Sequence, residues 1–180
     1  MSGGAWTPQG LTRRRFLKWT LRGLAGVTAL AGATGGSLLA LRGCAPSVDG
    51  LTVLSDHGYR TLTALAHVVL PDGGAFPEGA STIDMARLFD GYLADEPEQN
   101  QSDLAMALHL LEFGPVLYDL RFRTFSNLTP EERLTHFEGW MTSDSLTRRK
   151  VAVAFRKFLY LVFYDQPAVW PRLGYGGPVA

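Results

Sequence analysis

Four histidines, His57, His67, His109 and His136, are the neutral-pH proton shuttles available in this 180-residue chain. Each needs a partner at productive distance before it can do acid–base or metal chemistry. His109 and Glu112 lie three residues apart and Glu132 and His136 four apart, so on a helix either pair would share a face. A dinuclear iron bundle requires two Glu-x-x-His units and two further carboxylates, and the chain contains no such unit in that order. No Gly-x-Gly-x-x-Gly turn, phosphate loop or Gly-x-Ser-x-Gly elbow is present. The only cysteine, Cys44, excludes an intrachain disulfide, a Cys-ligated cluster and a closed zinc site, and without Cys-x-x-Cys-His there is no covalent haem. The expectation is a chain with no catalytic, cofactor-binding or metal site of its own, in which the histidines lie on the surface or cap helices.

Binding chemistry is better represented. Asp165 to Pro178 combines three prolines with Trp170, Arg172 and Tyr175. Prolines restrict the unbound segment, and Trp, Tyr and Arg are frequent interface anchors. Trp170, Leu173, Gly174, Tyr175, Gly177 and Pro178 are therefore the expected partner interface; the compatible alternative is that Trp170 and Tyr175 fold back over the body. Arg148-Arg149-Lys150, with Arg156 and Lys157 beyond, is expected to be the solvated side of a helix. Six of the 17 basic residues and none of the 17 acidic ones precede Cys44, which leaves 11 basic against 17 acidic residues after it, a charge of −6. Phosphate neutralisation needs clustered Lys and Arg on a folded surface, so nucleic acid is excluded as a partner.

Thr12-Arg13-Arg14-Arg15-Phe16-Leu17-Lys18 precedes 19 uncharged residues, Gly23 to Leu41, diluted by five glycines. This resembles a bacterial twin-arginine signal at nearly every position, with Arg13, Arg14, Phe16, Leu17 and Lys18 as its determinants; the mild hydrophobicity suits the route that carries folded cargo. At ~1.5 Å per residue the uncharged run nearly reaches the ~30 Å of a bilayer core, so a retained anchor stands beside cleavage. Leu41-Arg42-Gly43-Cys44 looks like a lipoprotein site that would lipidate Cys44, although Arg42 sits where a small neutral residue is usual. Residues 1–46 are read as signal or anchor, and 47–180 as one helical domain.

The elements that must position these residues are helices separated by turn chemistry, with enough apolar and aromatic content for a core. Ser55 caps a helix to Leu70, with Leu62, Leu65, Ala66 and Val69 on one stripe before Pro71. Ser81 or Thr82 caps a second, with Leu88, Phe89, Tyr92 and Leu93 on a face and Asp84 in its first turn. A third runs from about Ser102 through Leu104, Leu108 and Leu111, is kinked or split at Pro115, and continues to Leu117 and Phe122. Thr129-Pro130-Glu131-Glu132 predicts a capping box for a fourth, with Leu134, Phe137 and Met141 inward. The last, from Ser143 or Ser145 to Tyr164, buries Val151, Phe155, Phe158, Leu159 and Val162, a stripe widened by Tyr160 and Phe163. The expected fold is all-α: a compact bundle of about five helices followed by an irregular Pro/Gly/aromatic tail.

The twin-arginine leader, Leu62-x-x-Leu65 running into Val69-Leu70-Pro71, the apolar penultimate stretch and the ending Tyr164-Asp165-Gln166-Pro167-x-x-Trp170-x-x-Leu173-Gly174-Tyr175-x-Gly177-Pro178 together resemble the gluconate 2-dehydrogenase subunit 3 family. The likeness spans nearly the whole chain, with specificity in the leader and the ending. Departures are the lipoprotein-like Leu41 to Cys44 and the poor helix former Gly58. The resemblance implies a non-catalytic small subunit that supports export, maturation and assembly of a large glucose-methanol-choline type dehydrogenase. That large subunit would bind FAD, oxidise a sugar or other alcohol and pass electrons to a cytochrome c subunit. The twin-arginine translocase would be a further partner, and the periplasm or the periplasmic face of the inner membrane the destination. A free-standing helical lipoprotein with a binding or envelope role is the alternative.

Overall fold

The computed structural model describes residues 43–73 and 79–177; the export determinants Arg13, Arg14, Phe16, Leu17 and Lys18, together with Pro178, lie outside the described residues. Among the described residues there are five α-helices, two short 3-10 helices and no strand. The helices are α1 (Asp56–Val69), α2 (Met85–Ala94), α3 (Glu98–Tyr118), α4 (Pro130–Met141) and α5 (Leu146–Tyr164). None is long and apolar enough to cross a membrane.

The all-α bundle expected from the sequence is what forms, and α1 is its centre. Ser55 caps it by accepting from the amide of Gly58 at 3.1 Å, so the poor helix former serves as the capped third residue of the first turn. Leu62 and Leu65 are fully buried and α1 touches all four other helices; truncating either leucine to alanine removes core that costs about 2–5 kcal/mol. Ala66 is buried with them, whereas Val69 is half-buried at the helix end. The α5 stripe of Val151, Phe155, Phe158, Leu159 and Val162 is buried as its spacing predicts, and Phe163 joins it, but Tyr160 is exposed. Phe158 meets Phe89 of α2 edge-on, with ring centroids 5.8 Å apart.

Three boundaries differ from the sequence reading. The cap of α2 is Asp84, whose carboxylate accepts from the amide of Arg87 at 3.0 Å; Thr82 turns back onto Gly79 and Ser81 binds Asp72. Phe89 and Leu93 are buried there, Leu88 is partly buried and Tyr92 is exposed. α3 starts at Glu98, not Ser102, because Pro97 supplies the extended entry, and it is not split at Pro115. The helix runs one residue short of a further turn beyond Pro115, whose carbonyl then accepts from Asp119 and Arg121. Leu117 is therefore half-exposed and Phe122 lies outside the helix in solvent.

The capping box of α4 forms in full: Thr129 accepts from the amide of Glu132 and Glu132 accepts from that of Thr129. Its buried face is rotated from the expected one. Phe137 is inside as predicted, but Leu134 is exposed and Met141 only partly covered, while His136 and Trp140 are buried. Gly114 of α3 makes this packing feasible, since a Cβ there would lie 2.5 Å from Trp140 Cζ2 and 2.8 Å from His136 Nε2.

Candidate functional site

Two regions gather the side chains capable of chemistry or binding. The first is built around Glu112 on α3, a carboxylate at 1% exposure. Its Oε1 accepts from Ser126 Oγ at 2.6 Å; its Oε2 accepts from the Ser126 amide at 3.0 Å and from Thr61 Oγ1 at 3.0 Å. Arg133 donates to the Ser126 carbonyl at 2.8 Å, and Arg60 donates Nε to Ser126 Oγ at 3.1 Å and Nη2 to Asn127. The 3-10 turn Phe125–Asn127 is thereby clamped between α1, α3 and α4. Burial lowers the pKa of Arg133, opposed by the attraction of Glu112. Both carboxylate oxygens are occupied by donors, so Glu112 is arranged to hold the turn, not to move a proton.

Beside it, His136 Nδ1 stands 2.6 Å from Asp119 Oδ2, with 3% of the imidazole side chain exposed. Burial lowers the pKa of His136; the Asp119 hydrogen bond and charge oppose it, and Arg121 and Arg148 reinforce it. The neutral ring therefore donates Nδ1–H to Asp119, and Nε2 is buried without a partner against Gly114. This corrects the expectation of a surface or capping role for this residue. Neither His–carboxylate pair forms a unit: His109 is exposed and donates Nδ1–H to the Ala105 carbonyl, while Glu112 points into the turn cluster. Glu132 is held by Thr129, Arg121 and Arg123, which keep its carboxyl below the usual range, with the Thr129 amide the largest cause.

The second region is the tail. It is less irregular than its composition predicts, because Trp170–Leu173 forms a 3-10 turn closed by Gly174 in the left-handed region at φ 65°. Val169 is fully buried and Trp170 Nε1 donates to the carbonyl of Tyr164 at 3.0 Å. Tyr175 packs edge-on against Trp170 at 5.5 Å while half its surface stays in solvent, and Leu173 and Gly174 are exposed beside it. Gly177 lies on the Trp170 ring, where a Cβ would come within 3.2 Å of Cζ3. The tail both folds back and presents an outer edge; Tyr92 of α2 donates to Asp165 at its base.

Cys44 is an exposed free thiol, and its carbonyl accepts from Arg60 Nη1 at 3.3 Å, so the chain enters the bundle beside the Glu112 cluster. Of the basic run on α5, Lys150, Arg156 and Lys157 are exposed as expected. Arg148 instead lies over the Tyr118 ring at 4.8 Å and Arg149 donates to the Ser143 carbonyl. Sequence reasoning missed Asp90, a carboxylate at 2% exposure that accepts from the amides of Thr52, Val53 and Leu54 and fastens the entry segment to α2. Among the described residues no group of three or more His, Cys, Asp or Glu side chains is placed to hold a metal ion. Compared with known protein families, with characterised proteins and with solved structures, the chain finds no match.

Proposed function

We propose that this chain is the non-catalytic small subunit of an FAD-dependent sugar or alcohol dehydrogenase, exported to the periplasm by the twin-arginine translocase with its large subunit bound. The observation that carries the reading is the leader, Thr12 to Lys18 followed by the weakly apolar run to Leu41. Folded export is used chiefly for proteins loaded with a cofactor before crossing. The sequence offers no dinucleotide turn, thiolate set or Glu-x-x-His pair with which this chain would hold one. The address then serves a flavoprotein that lacks its own, and a cytochrome c subunit takes the electrons outside. The tail supports the same reading: Tyr175 and Leu173 form an apolar edge on a backbone already pinned by Val169 and Trp170, so little conformational freedom remains to be lost on association.

The test is copurification of the affinity-tagged full chain from solubilised envelope. A larger polypeptide with a flavin absorption spectrum is expected, and Trp170→Ala with Tyr175→Ala weakens its recovery while helix content is unchanged. The chain emerging alone contradicts the reading. An exposed Cys44 at the junction of leader and bundle favours one alternative, a free-standing helical lipoprotein, which mass spectrometry would reveal as a diacylated Cys44 on a chain without a flavoprotein.

A further inference from the structure

The 19 residues of α5 include five of the 11 basic residues that follow Cys44 and none of the 17 acidic ones, in a body of net charge −6. The helix packs its apolar side on α1, α2 and α4. On the opposite side, helical spacing sets Lys150, Val153, Lys157 and Leu161 in one row and Arg156, Tyr160 and Tyr164 in the row beside it. All of these are exposed except Val153, which is partly so. The side is cationic along its length and aromatic in its last turns.

That aromatic end runs without a break into the tail. The Tyr160 ring lies 6.2 Å from that of Tyr164, Trp170 Nε1 donates to the Tyr164 carbonyl, and Tyr175 packs edge-on against Trp170. Asp165, the carboxylate at the junction, is engaged by the Tyr92 hydroxyl. Charge and relief decide what fits such a surface. Lys150 and Arg156 call for negative charge opposite, and a second copy in a two-fold arrangement would set the same cations against each other. Tyr160, Leu161, Tyr164 and Tyr175 show only 37%, 39%, 44% and 50% of their surface, so the face is low in relief and no apolar tip stands out to enter an acyl layer. Tyrosines on a backbone already fixed lose little conformational freedom on association and offer hydroxyls to acceptors on a protein.

We infer that the large subunit docks along α5 as well as on the tail, seating an acidic surface on Lys150 and Arg156 and an apolar one on Tyr160, Tyr164 and Tyr175. This rests on the proposed function for the partner's existence and adds the face and the chemistry that hold it. In the full chain, the photocrosslinker p-benzoylphenylalanine replaces Lys150, Tyr160 or, as a control, the exposed Ser102 of α3. Cells are irradiated and adducts of the tagged chain are mapped by mass spectrometry. Adducts with the flavin-bearing polypeptide are expected from 150 and 160 and not from 102, those from 150 falling beside Asp or Glu of the partner. In parallel, Lys150→Glu with Arg156→Glu should lower the partner's recovery severalfold, and added salt should weaken the unaltered complex but not the variant's. Adducts with phospholipid or with a second copy at 150 and 160, or none there, overturn the inference. Full recovery of the flavoprotein by the charge-reversed chain also overturns it, while leaving the proposed function standing on the tail alone. A chain that recovers no flavoprotein removes both.

Discussion

At the tail, Val169 is sealed in the core and Trp170 donates to Tyr164, so the exposed Tyr175 and Leu173 sit on a backbone whose conformation the bundle dictates. At residues 119–123 the chain is held by the Pro115 carbonyl, which accepts from the amides of Asp119 and Arg121, and by Asp119 on His136 and Arg121 on Glu132, so Leu120 closes the end of α3 while its side chain and that of Phe122 stay in solvent. In the tail, apolar residues with no role inside are neighbours of ones that have such a role. In the 119–123 segment the apolar pair is displayed by polar residues alone, and one of them in a costly conformation. The contrast separates apolar side chains displayed at the outer edge of core packing from a pair displayed where the chain turns to close a helix end.

The sharpest way to break the segment without touching the tail is through its foundation. Glu112→Ala removes the acceptor for three donors and leaves Arg60 and Arg133 beside an empty site, which should cost about 3–5 kcal/mol in urea unfolding. A loss within about 0.5 kcal/mol, the scale of an ordinary surface change, would mean the turn is held by other contacts. Gly114→Ala forces a methyl into Trp140 and His136 and should cost about 1–3 kcal/mol or more. Equal stability would show that α3 and α4 can separate freely.

His136 sharpens the comparison through pH. Its folded pKa lies below the ordinary value of 6.5, so the unfolded chain binds more protons in that window. Its contribution is fully present above pH 6.5 and is lost as pH falls through the folded pKa, and His136→Gln should flatten that part of the stability profile. A profile unchanged by the substitution would assign the acid sensitivity elsewhere. The smallest effects belong to the displayed side chains themselves. Leu120→Gly relieves a left-handed cost of ~1–2 kcal/mol against a backbone-entropy penalty of ~0.5–1 kcal/mol. Tyr175→Ala should stay within ~0.5 kcal/mol. A marked destabilisation by Leu120→Gly would return that residue to the interior of the account.

Short-range signals were legible in the sequence. Ser55, the Thr129 to Glu132 capping box and the α5 stripe each declare themselves through local spacing, and they form as read except that Tyr160 stays outside the stripe. The polar residues that organise the molecule were not, because their partners are remote: Glu112 reaches Thr61 across 51 residues, and Asp90 reaches Thr52 across 38. No periodicity encodes such pairs. α4 was rotated because Leu134, Phe137, Trp140 and Met141 spread apolar character around the helix, and the choice of face was made by Gly114 on another element. Phe122 was read as part of α3, but the helix ends at Tyr118, three residues beyond Pro115, and leaves Phe122 in the segment that follows.

The central claim, that the leader of this chain carries a flavoprotein across the membrane, is tested most directly by replacing Arg13 and Arg14 with lysine and following the flavin-bearing partner recovered with the unaltered chain. Retention of both polypeptides in the cytoplasm is the predicted result. Normal arrival of the partner in the periplasm while this chain stays behind would contradict it.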